Sequence, residues 1–357
     1  MSYLPPMLDP DEYWDTFRAE HTGVFWDVNS FPIPDIHPHL IYENIKLTLS
    51  SKGYTGPVSI WLYAYSESQI RNKEDYELAG IRFCFEPYDT RDYRMTVDML
   101  LCALDHPSSN LIVIARNFLE EDAVFNIHLL HNRRLNIFLA YDQVVEPIIP
   151  TQNPLWLLES LWQASLQPSL HQQQGRGEHV VDKKLKTTPM PTVDYVSGSS
   201  VRLLDLDRTT LAIWNAVDSA ALEDLDPVIS AANIDAFFML KGLPPPDFTK
   251  VFADEDALPE HLISKYLGST LLLDIVPKGN TRVRNQRIAT FILFHALSYL
   301  CDPTTLLVLS EDVLEEDSLL KTVYEAVRSK GFTLFFEPPK SILASELHLH
   351  PRLQRWF

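Results

Sequence analysis

Asp27 stands where an apolar run, Val24-Phe25-Trp26, gives way to polar sequence, and it is the first of several acidic residues placed at the ends of different elements. Asp98 lies in a segment whose apolar residues Val97, Leu100, Leu101 and Leu104 share one helix face. Arg116-Asn117 follows the apolar run 111–115, and Glu120-Glu121-Asp122 opens the next amphipathic segment. Two or more such carboxylates brought to one sheet edge could hold Mg²⁺ or Mn²⁺ through oxygen, with water completing the shell. An ion held there would activate water and neutralise phosphate in an in-line attack. The same acids also suit structural roles: Glu120, Glu121 and Asp122 complement a helix N-terminus, and an aspartate after a strand forms a turn. Arg91, Arg94 and Arg116 flank the same region and offer planar guanidinium groups to phosphate; Lys278, Arg282, Arg284 and Arg287 stand in a similar relation later in the chain. A solvated face would explain either set as well.

These residues need elements to position them. Strand-like runs fall at 24–26, 58–65, 81–85, 111–115 and 135–140, and helical patterns at 40–49, 70–78, 93–104, 120–133 and 152–163. Alternation of this kind predicts a parallel sheet with helices on both faces, and function then gathers at the carboxyl ends of the strands. The second half is expected to repeat the scheme, with strands at 211–214, 236–240, 271–275, 306–309 and 333–336, and helices beginning at 227, at 289–299 and at 316–330. Between the halves, residues 167–208 are polar, punctuated by Gly and Pro and locally basic, which predicts a flexible linker.

The repetition extends to sequence. Pro107 to Asp122 is echoed by Pro303 to Asp317, and Thr22-Gly-Val-Phe-Trp-Asp by Thr210-Leu-Ala-Ile-Trp-Asn. An internal duplication is expected, so that chemistry can be tested by asking whether both copies keep it.

Bulk properties set limits. At 357 residues and 46% apolar, the chain is long enough for two ordinary cores. A formal charge of -18 excludes nucleic-acid binding through a strongly basic surface alone. Cys84, Cys102 and Cys301 form no Cys-x-x-Cys pair and read as buried reduced thiols of an intracellular protein. No leader, transit peptide or membrane span is expected. His37 and His39, and likewise His348 and His350, read as surface residues rather than zinc ligands. No phosphate-binding glycine loop or Gly-x-Ser-x-Gly elbow occurs.

Several blocks, in order, resemble the NYN domains of the limkain type in plants, the group that includes the meiosis regulator and mRNA stability factor. The first is Thr22-Gly-Val-Phe-Trp-Asp-Val28, followed closely by Phe31-Pro-Ile-Pro-Asp35. The later ones are Gly53-Tyr-Thr-Gly-Pro-Val-Ser-Ile60, Val97-Asp98 through Asp105-His-Pro107, and Arg133-Arg-Leu-Asn-Ile-Phe-Leu-Ala140. The resemblance implies two PIN-like three-layer α/β/α sandwiches with parallel sheets. It implies domains at 20–166 and 209–340, the second degenerate, with an acidic, metal-dependent ribonuclease site in the first. Asp27 and Asp98 match the family's metal ligands. Asn117 stands where a first aspartate is expected and adds no charge; Asp122 is a weaker contributor, and Asn29 sits where an acid is sometimes found.

The second half departs differently. Asn215 takes the place of Asp27, Phe294 is aligned with Asp98, Asp312 with Asn117, and Asp218 lies one residue out of phase. Two functions follow as expectations: a metal-dependent endoribonuclease using Mg²⁺ or Mn²⁺ through its first domain, or an inactive pseudo-nuclease acting as an RNA- or protein-binding adaptor. A hydrolase of another phosphoester is a third. RNA is the expected partner, a protein partner is open, and the membrane is not expected. An intracellular place, cytoplasmic or nuclear, is expected, with the peroxisome only an association of the family. The oligomeric state is not legible.

Overall fold

The computed structural model describes residues 15–70, 72–116, 130–131, 135–140, 154–165, 209–216, 225–246, 248–255, 260–267, 269–277, 280–299, 304–310 and 318–350. The first sheet is built from β1 (Thr22–Asp27), α1 (Pro38–Ser51), β2 (Val58–Ala64), α2 (Lys73–Leu78), β3 (Ile81–Phe85), α3 (Tyr88–Asp105), β4 (Asn110–Ile114), β5 (Asn136–Ala140) and α4 (Leu155–Ser165). The second follows from β6 (Thr209–Ala216), α5 (Pro227–Leu240), β7 (Thr249–Asp254), α6 (Glu260–Leu267), β8 (Leu271–Val276), α7 (Thr281–Ser298), β9 (Thr304–Leu309), α8 (Ser318–Ser329), β10 (Thr333–Glu337) and α9 (Pro339–Leu343). Strand order is β3-β2-β1-β4-β5 in one sheet and β10-β9-β6-β7-β8 in the other; reversed, the second is the same arrangement as the first. All pairings are parallel. The structure therefore has the α/β class expected, two sandwiches with parallel sheets.

Local chemistry accounts for the elements. β1, β4 and β5 are buried at every residue, so they need the continuous apolar runs that covered parallel strands carry. The His37 side chain accepts from the His39 backbone N–H and Pro38 opens α1, a suitable start. Gly56 has no substitute at the turn into β2: an added Cβ would lie 1.9 Å from the Glu20 carbonyl oxygen. In the second half, Asp226 accepts from Val228 and Ile229 backbone N–H groups ahead of Pro227, so α5 begins with a capped proline turn.

The two sandwiches share their middle. One apolar cluster joins Phe25, Val113 and Leu139 of the first sheet to Leu100 and Leu104 of α3. It runs on through Ile288 and Leu293 of α7 and Val323 of α8 to Ile213 and Val308 of the second sheet. Separate clusters cover the outer faces, one under α1 and α4 and one under α5 and α9. The first turns of α3 and α7 lie side by side, because Arg287 donates to the Tyr93 hydroxyl at 3.0 Å and Arg282 pairs with Glu86 at 3.3 Å. Lys330 reaches Asp105 at 3.3 Å near the other end of α3.

Several boundaries differ from expectation. Residues 236–240 belong to α5, not to a strand, and the second strand of that sheet is β7. α5 is buried around much of its circumference, so it shows no amphipathic period. α3 begins at Tyr88 and α7 at Thr281, well before the expected starts, and α2 is shorter than the predicted helix over 70–78. The expected helix over 120–133 lies, apart from residues 130–131, outside the described residues, as do Cys301 and the expected linker 167–208. No described helix is long and apolar enough to cross a membrane.

His21 closes the amino-terminal end of β1. Its ring stacks on His106 at 4.0 Å, its Nε2 lies 2.9 Å from the Ser59 hydroxyl, and its Nδ1 lies 3.6 Å from the Cys102 sulfur. Burial first, then the charges of His106 and Arg82, push its pKa down to about 4. The folded protein thus resists a proton that the unfolded chain accepts near pH 6.5. Stability should be fully present above that pH and decline as pH falls from about 6.5 towards 4. Urea midpoints measured across this window check it, and His21→Gln should flatten the decline.

Candidate functional site

Asp27 is the last residue of β1 and is wholly buried. Strand alternation turns Phe25 and Asp27 to the inner face, towards α3, and Trp26 to the outer. The chain turns at once, and the turn satisfies the carboxylate: Oδ1 accepts from the Asn29 backbone N–H at 3.0 Å and the Asn29 amide at 3.2 Å, while Oδ2 accepts from Ser30. The fourth residue of α3, Arg91, then donates to Oδ1 at 3.1 Å from a side chain only 2% exposed. Arg91 also donates to the Tyr65 hydroxyl at 3.1 Å and to Asp92 at 3.2 Å. Burial pulls against the guanidinium's charge, but Asp27, Asp92 and Tyr65 outweigh it and its pKa is raised.

Asp98 sits on the same face of the sheet, two turns further along α3. Its Oδ2 accepts from Arg94 Nε at 3.0 Å, from the Tyr63 hydroxyl at 2.9 Å and from the Cys84 thiol at 3.5 Å. Tyr63 is directly opposite Asp27 in the β1–β2 register, and Cys84 opposite Tyr63 in β2–β3. Burial, then the neighbouring Asp98 charge, raises the Tyr63 pKa well above its ordinary value, so the phenol stays protonated and donates. The Cys84 thiol is held up for the same two reasons. Arg94 shifts upward because Asp98 overcomes the cost of its burial.

The fold thus brings Asp27 and Asp98 to one face but gives each its own arginine. Four protein donors occupy the Asp27 carboxylate, and three occupy Oδ2 of Asp98. With its oxygens so engaged the Asp27 carboxylate does not suit a divalent cation, which needs free lone pairs; of the two acids' four oxygens only Oδ1 of Asp98 has no protein donor among the described residues. Among the described residues no three His, Cys, Asp or Glu side chains are grouped to hold a metal. Arg91 is enclosed and out of reach of a phosphate on the surface, and Arg94 is engaged by Asp98. Arg116 is exposed and lies over the Phe31 ring at 5.4 Å. Asn29 is a turn residue whose Oδ1 accepts from Gln69. Asn117, Glu120, Glu121 and Asp122 lie outside the described residues, as do Asp218, Lys278 and Asp312.

The second sheet repeats the arginines and moves the acids. Arg284 and Arg287 are the fourth and seventh residues of α7, as Arg91 and Arg94 are of α3. The row Asp27, Tyr63, Cys84 across the first sheet corresponds to Asn215, Phe252, Asp274 across the second. Arg284, buried like Arg91, pairs with Asp254, which stands two residues beyond Phe252 as Tyr65 stands beyond Tyr63. Arg287 pairs with Asp274 at 2.8 Å, the residue in the place of Cys84. The eleventh residue of α7, in the place of Asp98, is Phe291; the expected counterpart, Phe294, lies three residues on and packs against the shared core. Asn215 donates to the Ser310 hydroxyl at 3.5 Å. Each arginine keeps a carboxylate, although neither acid keeps its position. What the copies have in common is charge neutralisation rather than a ligand set.

Sequence reasoning missed Tyr63, Tyr65 and Cys84 as partners of the acids, and Asp254 and Asp274 altogether. One signal was present: Arg-x-x-Arg occurs at 91–94 and at 284–287.

Comparison with known proteins agrees for the first half. No curated protein matches the chain. Solved structures with some likeness include MrsD from Bacillus sp. HIL-Y85/54728, at 16% identity and a TM-score of 0.20 over 41% of this chain and 98% of that one. Another is a family 9 glycosyl transferase from Veillonella parvula DSM 2008, at 10% identity and 0.23 over 92% and 97%. At these scores neither carries an argument. The NYN domain family model, by contrast, matches residues 21–150, a continuous segment that contains β1 to β5, Asp27, Arg91 and Asp98.

Proposed function

We propose that this chain is a non-cleaving, RNA-associated NYN protein of the limkain type, acting in regulation of gene expression, whose second sandwich (209–340) is a diverged copy of its first (20–166). The observation that carries this reading is the pair Arg91–Asp27, with both partners buried and both carboxylate oxygens of Asp27 supplied by protein donors. A guanidinium holds the charge that a catalytic cation would otherwise neutralise. The recurrence of paired arginines in α7, with acids recruited from other positions, supports the same reading. The family's RNA connection supports RNA as the partner. With a net charge of -18, contact must be local rather than spread over a basic surface; Arg116, exposed beside the carboxyl end of β4, is the residue proposed for it.

A second reading is a metal-dependent endoribonuclease using Mg²⁺ or Mn²⁺ at Asp27 and Asp98, with Asn117 and Asp122 contributing. Its support is that Asp27, at the end of β1, and Asp98, on α3, lie on the same side of the first sheet, with Tyr63 beside the one and bonded to the other. It requires Arg91 and Arg94 to withdraw. Incubating the purified protein with single-stranded RNA, with and without Mn²⁺, separates the two. The expected outcome is retention of RNA without cleavage. Mn²⁺-stimulated cleavage that disappears in Asp27→Ala and Asp98→Ala would establish the second reading. RNA neither bound nor cleaved would leave a protein-binding adaptor, to be sought by pull-down.

A further inference from the structure

A cavity of about 810 Å³ runs between β2, β3 and α3, from His21, Ser59 and His106 at the amino-terminal edge of the first sheet to Cys84, Arg94 and Asp98, and is closed on one side by Thr322 and Ala326 of α8. Its size suits a small-molecule ligand. Two stacks of planar groups face it. In one, Trp61 lies against Phe25 at 4.7 Å and carries the Arg82 guanidinium on its other face at 5.3 Å. In the other, buried His21 carries exposed His106. The acids of the lining are each answered: Asp98 by Arg94 at 3.0 Å, Asp105 by Lys330 at 3.3 Å and Glu77 by Lys73 at 3.7 Å. Arg82, exposed, forms no ion pair among the described residues. It is the uncompensated charge of the cavity.

We infer that this cavity binds a nucleoside monophosphate, either free or as the 5′-phosphorylated end of a nucleic-acid strand. The Trp61 ring takes no hydrogen bond from Arg82 and no carboxylate pairs with it among the described residues, so the guanidinium N–H groups remain for a phosphate. The outer face of His106 takes the base, since an imidazole already stacked on one side offers its other side to a planar ring. Neither Asp27 nor Arg91 lines the cavity, so the inference stands or falls independently of that pair. Because α8 closes it, an occupant touches both sandwiches.

Calorimetric titration of the full chain with AMP, adenosine, inorganic phosphate and a short oligoribonucleotide in 5′-phosphorylated and 5′-hydroxyl forms tests this. AMP or the phosphorylated oligonucleotide should bind saturably. Tight binding of AMP identifies a free nucleotide, and tighter binding of the phosphorylated oligonucleotide identifies a strand end. Arg82→Ala, at an exposed position where folding is not at stake, should weaken binding about tenfold or more, and His106→Ala by a similar factor. Arg82→Lys should fall between, keeping charge without the planar edge. Absence of saturable binding by both ligands would overturn the inference. So would adenosine or phosphate alone binding as tightly as AMP, or unchanged affinity in Arg82→Ala.

Discussion

Arg91→Met is expected to destabilise the protein by about 3–5 kcal/mol, the usual consequence of stripping one partner from a buried ion pair. Asp27 is fully buried, and Arg91 is its one cationic partner among the described residues. With the guanidinium gone, the carboxylate must stay charged without compensation or take up a proton. The expected loss is large because water does not reach the site to screen it. Arg94→Met should cost less, about 1–2 kcal/mol, since Arg94 is 27% exposed and Asp98 keeps its bonds from Tyr63 and Cys84. Combining Arg91→Met with Asp27→Leu should recover much of the first loss, because an apolar pair of similar volume avoids the stranded charge. Urea denaturation of the single and double variants gives the coupling directly. An Arg91→Met protein as stable as the wild type would show that the pair does not hold Asp27.

The second large effect is at the seam between the sandwiches. Leu293→Ala removes a fully buried side chain from the cluster that spans α3, α7 and both sheets, and should cost about 2–5 kcal/mol. Because that cluster is continuous, the loss should not stay in the second half. Amide hydrogen exchange should accelerate in β1 and β4 of the first sheet by a factor comparable to that in β6 and β9. Denaturation followed by separate probes in each half should trace one transition. If β1 and β4 keep wild-type protection while β6 and β9 lose theirs, the two sandwiches are independent folding units.

The outlines of β1, β2, β4, β5, β6 and β9 are legible in the sequence because covered parallel strands carry apolar runs, and the edge strands β3, β8 and β10 keep enough apolar residues to be read despite Arg82, Asp274 and Glu337. β7 escapes notice because Thr249-Lys-Val-Phe-Ala-Asp254 holds only three apolar residues between polar ones and follows a proline-rich stretch. α5 resembles a strand in part because a helix buried on most sides loses its periodicity. The first turns of α3 and α7 read as loop for a more telling reason. Arg91, Asp92, Arg94, Arg282, Arg284 and Arg287 look solvated in sequence, yet Arg91 and Arg284 are among the largest fully buried side chains. Charge predicts exposure only when its partner is unknown. The same blind spot hides the site. Asp27 and Asp98 are recognisable as acids at the right places, and Arg94–Asp98 is an i,i+4 pair that the expected helix already contains; that Arg91 meets Asp27 depends on how α3 packs on β1, which one sequence does not reveal. Phe294 aligns with Asp98 where Phe291 stands, because the periodicity places the start of α7 too late.

The central claim is that arginine, not a metal ion, neutralises Asp27. Calorimetric titration of the metal-free protein with Mn²⁺, beside the Asp27→Asn variant, tests it most directly. The account predicts no stoichiometric binding that depends on Asp27, with superimposable titrations for the two proteins. One equivalent of Mn²⁺ bound by the wild type and lost in Asp27→Asn would contradict it, and would make Arg91 a gate rather than a substitute for the ion.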